Sequence, residues 1–256
     1  MKSVVVRDLI LTDQEPKICV AIKGDTQEEI FRQATKAVAE GAELLEWRGD
    51  YFKEYQEMTS VLAVLQELRQ IAGNLPVIFS FLTPDNDGIN AVSPAILREI
   101  YLTAAESGLV DLLELQLIVA ELIGPSFMNL LRGTEAKLIL SHYYLDDTPD
   151  DALILFQLNL MEHLKADIGK IVAHGNSRHD VMKMMSVGFQ VEPFVAIPII
   201  LFSSGDLGRL SQIAGGINGS CIAYSSVAYY PDSDEYTLEE LQLALELLKP
   251  QEYKRR

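Results

Sequence analysis

Residues 18–48 read ICVAIKGDTQEEIFRQATKAVAEGAELLEWR, and the order of apolar and polar positions in them decides the fold. Ile18 to Ile22 is an uninterrupted apolar run, with the length and composition of a strand buried on both faces of a parallel sheet. From Thr26 the period changes. Thr26 and Glu29 have the spacing of a capping box, a helical pattern follows, and Gly41 closes it. A second strand-like run, ELLEWR at 43–48, begins at once.

The same alternation continues along the chain. Further apolar runs are VIFSF (77–81), DLLEL (111–115), KLILS (137–141), KIVAH (170–174), FVAIPII (194–200) and SCIAY (220–224). Segments of helical period separate them. MTSVLAVLQELRQIAG (58–73) also closes on a glycine, and TLEELQLALELL (237–248) is amphipathic. Eight strand–helix units in about 230 residues predict one closed α/β barrel, the (β/α)8 or TIM barrel. A doubly wound sheet would carry a glycine-rich phosphate fingerprint after an early strand, and the sequence has none. Residues 1–16 precede the first unit and are expected to cap the barrel bottom. Residues 237–256 read as the last helix and tail, and 1–256 as a single domain.

Composition narrows the partners. The chain has 256 residues, 48% of them hydrophobic, and 37 acidic residues against 21 basic ones give a net charge of −16. Such a surface repels phosphate backbones and anionic lipid, so neither nucleic acid nor membrane is expected as a partner. The basic cluster Lys254-Arg255-Arg256 reads as a solvated tail. Cys19 and Cys221 lie far apart within apolar runs and read as buried free thiols of a reducing cytoplasm. The start, MKSVVVRDLIL, is broken by Arg7 and Asp8 and does not read as a signal peptide. No apolar stretch approaches the ~20 residues of a membrane helix.

In a (β/α)8 barrel the working residues stand at the C-terminal ends of strands and on the loops beyond them. That rule selects Glu46 and Arg48, Leu82 onward, Gln116, His142 and Tyr143, Lys170 and His174, and the loop from Ser203 to Gln212. Lys170 is the unusual one, an ammonium inside the apolar run of the sixth strand, where alternation sets 170, 172 and 174 on one face. Facing the interior, it is either desolvated toward the neutral amine that attacks a carbonyl, or neutralised by an interior carboxylate such as Glu46. The four histidines have no metal-ligand spacing, so no metal is expected.

MKSVVVRDLIL, PKICVAI, ELLEWRGDYF, PVIFSFLT, SHYYLDDTP and ADIGKI, in this order and nearly constant spacing, resemble the type I 3-dehydroquinate dehydratases of the shikimate pathway. EWR at 46–48 and ADIGKI at 166–171 are the most specific pieces. The resemblance implies a (β/α)8 barrel, a homodimer, a small keto substrate, no cofactor, and a Schiff base between the substrate ketone and Lys170. Glu46 and Arg48 match family positions as well.

Other positions depart from the family pattern. The general acid/base histidine of the fifth strand aligns with Tyr143; His142 is one residue early and by parity faces the helices. Its partner acid aligns with Asn86. A first-strand serine becomes Ala21, and one arginine becomes Leu82. The arginine that grips the substrate carboxylate aligns with Gln212, and the last loop leaves Pro231 and Glu235 near the family's serine and glutamine. Arg209, three residues before Gln212, is a replacement guanidinium or a surface arginine. His174, four residues beyond Lys170 on the same face, is a candidate for the lost imidazole, and Tyr143 either a base activated by a neighbouring cation or a space filler. His163 and His179 read as solvated. The function expected is a Schiff-base lyase that eliminates water from 3-dehydroquinate or a related cyclic keto compound; the alternatives are a homologue that binds a metabolite without turning it over, or another Schiff-base lyase or aldolase using Lys170 and Tyr143.

Overall fold

The computed structural model describes residues 2–84, 88–227 and 235–249. Its first two strands, β1 (Ser3–Val6) and β2 (Leu9–Thr12), form an antiparallel hairpin. Eight parallel strands follow: β3 (Lys17–Ile22), β4 (Leu44–Arg48), β5 (Val77–Ser80), β6 (Leu112–Gln116), β7 (Lys137–Tyr144), β8 (Ile168–His174), β9 (Ile199–Ser204) and β10 (Ile222–Ser226). Each pairs with the next in sequence from β3 to β9, and β10 returns to pair with β3. A two-residue strand, β11 (Tyr236–Thr237), extends the far side of β10.

The predicted barrel is the observed architecture, with several strand ends shifted by a few residues and the seventh strand displaced most. FVAIPII was expected to be the seventh strand, yet β9 begins only at Ile199 and runs to Ser204. Proline cannot donate to a sheet ladder, and Pro198 marks the edge, its carbonyl accepting from Gly169. The displacement matters because it puts Phe202 and Ser204 on the barrel wall.

Closure is made differently from the rest of the ring. Between β9 and β10 the strands meet at the bridge Ile199–Ser220, with the Cys221 amide donating to the Ile199 carbonyl. Beyond it side chains serve the β9 backbone. The Ser220 hydroxyl accepts from the Leu201 amide, the Asn218 amide donates to the Leu201 carbonyl, and the Ser211 hydroxyl accepts from the Ser203 amide at 2.8 Å.

Helices cover the outside: α1 (Gln27–Ala39), α2 (Met58–Ala72), α3 (Pro94–Glu106), α4 (Leu117–Arg132), α5 (Asp151–His163), α6 (Arg178–Val191), the short α7 (Arg209–Ile213) and α8 (Gly215–Asn218), and α9 (Leu238–Leu248). Thr26 caps α1 by accepting from the Glu29 amide, and Gly41 takes a φ of 91° after the helix, a backbone state that favours glycine. Thr237 and Glu240 complete a reciprocal capping box on α9. The basic residues at 254–256 lie outside the described residues.

Alternation along the strands divides the interior into layers. Cys19, Leu44, Ile78, Leu112, Ile139, Ile168, Ile200 and Ile222 form the lowest, closed beneath by Val6 and Leu11 of the hairpin. Above it the character changes to Ala21, Glu46, Ser80, Glu114, Ser141, Lys170, Phe202 and Tyr224, and the polar layer rests on an apolar floor. Leu11 is fully buried in that floor. Leu11→Ala is expected to lower stability by about 2–4 kcal/mol through lost burial and a residual void, measured by urea unfolding.

Candidate active site

Lys170 stands at mid-height on β8, with only 3% of its surface exposed, and its ammonium meets two carboxylates and two phenols. Nζ donates to Glu114 Oε2 at 2.8 Å and to the Tyr224 hydroxyl at 3.1 Å, and lies 3.9 Å from Glu46 Oε2. The Tyr224 ring centroid is 4.2 Å from Nζ and that of Tyr143 is 5.4 Å away. Of the two readings of Lys170, the structure therefore supplies the interior carboxylate, nearest from Glu114 on β6 and at longer range from Glu46. Space for a guest remains above it.

Glu114, fully buried, uses both oxygens: Oε2 accepts from Lys170 and Oε1 accepts from the Tyr143 hydroxyl at 2.7 Å. Burial pushes the Tyr143 phenol up from its ordinary pKa, and the negative charges of Glu114 and Glu46 push it further. This corrects the idea of Tyr143 as a base activated by a neighbouring cation, because the carboxylates outweigh the cations around it. Tyr143 keeps its proton and donates it. Tyr224 is raised for the same reasons, burial first and then Glu46 and Glu114.

Glu46 on β4 accepts from Ser80 Oγ at 2.6 Å and bonds Tyr224. Burial raises its carboxyl pKa, yet the charges of Lys170 and Arg48 and these hydrogen bonds outweigh burial, and the group titrates below its ordinary value. Arg48, two residues on, faces Asp50 through paired bonds of 2.8 and 2.9 Å and lies over the Tyr51 ring. Lys23, at the end of β3, pairs with Glu235 at 2.6 Å. Lys23, Glu46, Arg48, Tyr51, Tyr143, Tyr224 and Glu235 line a cavity of about 230 Å3 above Lys170, with Ala21, Val172, Phe202, Ser204 and Gln212 also in the wall. Gln212 is buried, and its Oε1 has no hydrogen-bond partner among the described residues.

The cavity thus gathers Lys170, Tyr143, Glu46, Arg48, Gln212 and Glu235 from the sequence-predicted set. It does not gather the other two. His174 sits at the barrel rim, its ring packed over Gly205 with Nδ1 3.5 Å from Ser204 Oγ, and it is not among the residues lining the cavity. Arg209 stacks on Tyr236 at 4.1 Å and reaches toward Glu240, so its guanidinium is turned away from the cavity. His142 faces outward as parity requires: β7 pairs with β8 in unbroken register from Ile139 to Tyr144, and the imidazole packs against Tyr144. Asn86 and Pro231 lie outside the described residues.

Glu114, Tyr224, Lys23 and Ser80 were missed from the sequence. The signal for Glu114 was the one that exposed Lys170, a charge inside an apolar strand, and DLLEL carries it as plainly as KIVAH does.

A sequence model of the type I 3-dehydroquinase family matches residues 18–252. The chain is 28% identical over 247 residues to a 3-dehydroquinate dehydratase of Klebsiella pneumoniae, covering 96% of this chain and 98% of that protein. It is 29% identical over 251 residues to the Listeria innocua protein of the same name, covering 98% of this chain and all of the other. Among solved structures, the 3-dehydroquinate dehydratase of Geobacillus kaustophilus superposes with a TM-score of 0.92 at 27% identity, covering 99% of this chain and 98% of that one.

Removing one partner of a buried ion pair leaves an uncompensated charge. Glu114→Gln is expected to cost about 3–5 kcal/mol in urea unfolding, and Lys170→Met in the same chain to recover most of it. Glu46 sets a pH dependence. Because its folded carboxyl titrates below the ordinary 4.5, its stabilisation is complete above that pH and is lost as the pH falls through the folded value. Glu46→Gln should flatten the fall in stability between about pH 5 and pH 3.

Proposed function

We propose, from the premise that this chain belongs to the type I 3-dehydroquinase family, that it is a hydro-lyase acting on a small cyclic hydroxyketone through a Schiff base at Lys170. The observation that carries the reading is the chain of contacts from Lys170 through the buried Glu114 to Tyr143, with Lys170 and Tyr143 both lining an open cavity. The family's substrate, 3-dehydroquinate, is the first compound to try.

Glu114 is placed to take the ammonium proton at 2.8 Å, which frees the amine lone pair to add to the ketone carbon. Glu114 then returns the proton, the former carbonyl oxygen leaves as water, and the iminium remains. Its positive charge acidifies the adjacent C–H. Glu114 takes that proton, and the C–H electron pair forms an enamine. The enamine expels the β-hydroxyl, which leaves as water with a proton relayed from Glu114 through the Tyr143 hydroxyl. Hydrolysis of the unsaturated imine releases the enone and restores Lys170. In this reading Tyr143 and Glu114 do together what one imidazole does elsewhere in the family, and Glu46, Arg48, Gln212 and Glu235 shape the cavity around the ring.

A second reading rests on the same ion pair. With Glu114 and Glu46 both facing Lys170, a metabolite that binds without condensing leaves the pair intact, and the protein is then a binder on an enzyme scaffold.

Two buried free thiols, Cys19 and Cys221, suit a reducing cytoplasm. Among the described residues no helix is long and apolar enough to cross a membrane. Leu153 and Phe156 of α5 and Met182 and Phe189 of α6 are exposed large apolar side chains, and in this reading a second copy covers them in a homodimer.

Borohydride reduction of the protein with 3-dehydroquinate, read by intact mass, is expected to give an adduct lost in Lys170→Met. Ligand-induced thermal stabilisation that survives Lys170→Met without any adduct would favour the binder. Tyr143→Phe should lower kcat by about 10²–10⁴-fold with a smaller change in KM. Sedimentation should give twice the chain mass, and Phe156→Asp with Phe189→Asp the chain mass alone.

A further inference from the structure

Tyr224 touches the reacting nitrogen, and the chemistry proposed above leaves it without a role. Its hydroxyl accepts from Lys170 Nζ at 3.1 Å and donates to Glu46. Its ring centroid is 4.2 Å from Nζ, and the ring packs against Phe202 of β9 at 5.9 Å.

Three oxygens face Nζ, and they differ in what they can do. Glu114 Oε2 is nearest at 2.8 Å, but Glu114 is fully buried and is not among the residues lining the cavity. Glu46, 3.9 Å away, lines the cavity, yet its carboxyl titrates below its ordinary value and so has no proton to give at neutral pH. Tyr224 lines the cavity, touches Nζ and keeps its proton, because burial and the charges of Glu46 and Glu114 raise its phenol. A phenol is both donor and acceptor at one oxygen. The hydroxyl is therefore in place to accept a proton from the lysine nitrogen while it gives its own to a guest in the cavity.

We propose that Tyr224 is a catalytic residue for making and breaking the Schiff base, carrying a proton between the lysine nitrogen and the carbonyl oxygen. The inference rests on the Schiff-base reading at Lys170. When the neutral amine adds to the ketone carbon, the new C–N bond leaves a positive charge on nitrogen and a negative charge on oxygen. One proton must then pass from nitrogen to oxygen. Direct transfer bends N, C, O and H into a strained four-membered ring, whereas a hydroxyl inserted between them widens the ring to six. The Tyr224 oxygen takes the nitrogen proton as its own proton passes to the alkoxide, and the phenol ends as it began. The neutral carbinolamine then loses its hydroxyl as water with the proton that Glu114 returns. Hydrolysis of the unsaturated imine runs the transfer backwards: water adds to the iminium carbon, and Tyr224 moves a proton from the added oxygen to nitrogen. The two phenols thus divide the work, Tyr143 serving the β-hydroxyl that leaves and Tyr224 the carbonyl oxygen.

The test is a timed borohydride quench of the full chain with 3-dehydroquinate, read by intact mass. Tyr224→Phe keeps the ring and leaves Lys170 with Glu114 and Glu46 with Ser80, so neither buried charge is stranded. Its Lys170 adduct should form about 10²–10⁴-fold more slowly than in the native chain, and the dehydrated adduct, once formed, should persist because its hydrolysis is slowed as well. Tyr224→Met, a flexible side chain without a hydroxyl, should show the same defect and serves if urea unfolding finds the phenylalanine variant unfolded. Tyr143→Phe should form its adduct close to the native rate and stall with the β-hydroxyl retained. Adduct formation at the native rate in either folded Tyr224 variant, or an equal slowing in Tyr143→Phe, overturns this inference alone. No adduct from the native chain overturns the Schiff-base reading and this inference with it.

Discussion

A buried ammonium flanked by carboxylates is the constraint to which the rest of this barrel is fitted. Lys170 cannot occupy mid-barrel without negative partners, and Glu114 supplies the nearest while Glu46 stands farther off. Each carboxylate must then be satisfied in turn: Glu114 by the Tyr143 hydroxyl, Glu46 by Ser80 and Tyr224. One charge on β8 thereby dictates residues on β4, β5, β6, β7 and β10. The polar layer works as a unit, and its members are poorly understood one at a time.

The layers divide the labour. The apolar ring below, sealed by Val6 and Leu11, keeps water from reaching the ion pair from underneath. Exclusion of water there strengthens every electrostatic contact above it. At the mouth, Arg48 and Lys23 are tied to Asp50 and Glu235. The elements are those of the type I 3-dehydroquinase family.

Most of the fold could be read from residue order. The alternation of apolar runs with capped helices, as in residues 18–48, needs no tertiary information, since most barrel strands are buried on both faces and helices such as α1, α3, α6 and α9 carry their own capping residue. The seventh strand was misplaced because VAIPII is apolar throughout and only Pro198 marks the true edge. In the site, Lys170, Glu46 and Arg48 announced themselves as charges in apolar strands. Glu114 carried the same signal and was passed over, since nothing local tells a carboxylate at a strand's middle that its partner lies 56 residues away. His174 and Arg209 failed for a related reason. Parity places a Cα on the right face, whereas Gly205 and Tyr236, remote in sequence or unrelated by period, decide where the side chain goes.

The seam between β9 and β10 has a consequence for how the wall behaves. Elsewhere neighbouring strands are joined by repeating ladders, which resist parting as a whole. Here, past Ile199 and Ser220, the β9 backbone is held instead by single side chains, Ser220 just ahead of β10 and Asn218 and Ser211 from α8 and α7. The cylinder therefore has a hem. Phe202 on one side of it and Tyr224 on the other stand against each other inside, so a widening of the hem is felt first by the two rings that flank the lysine's chamber.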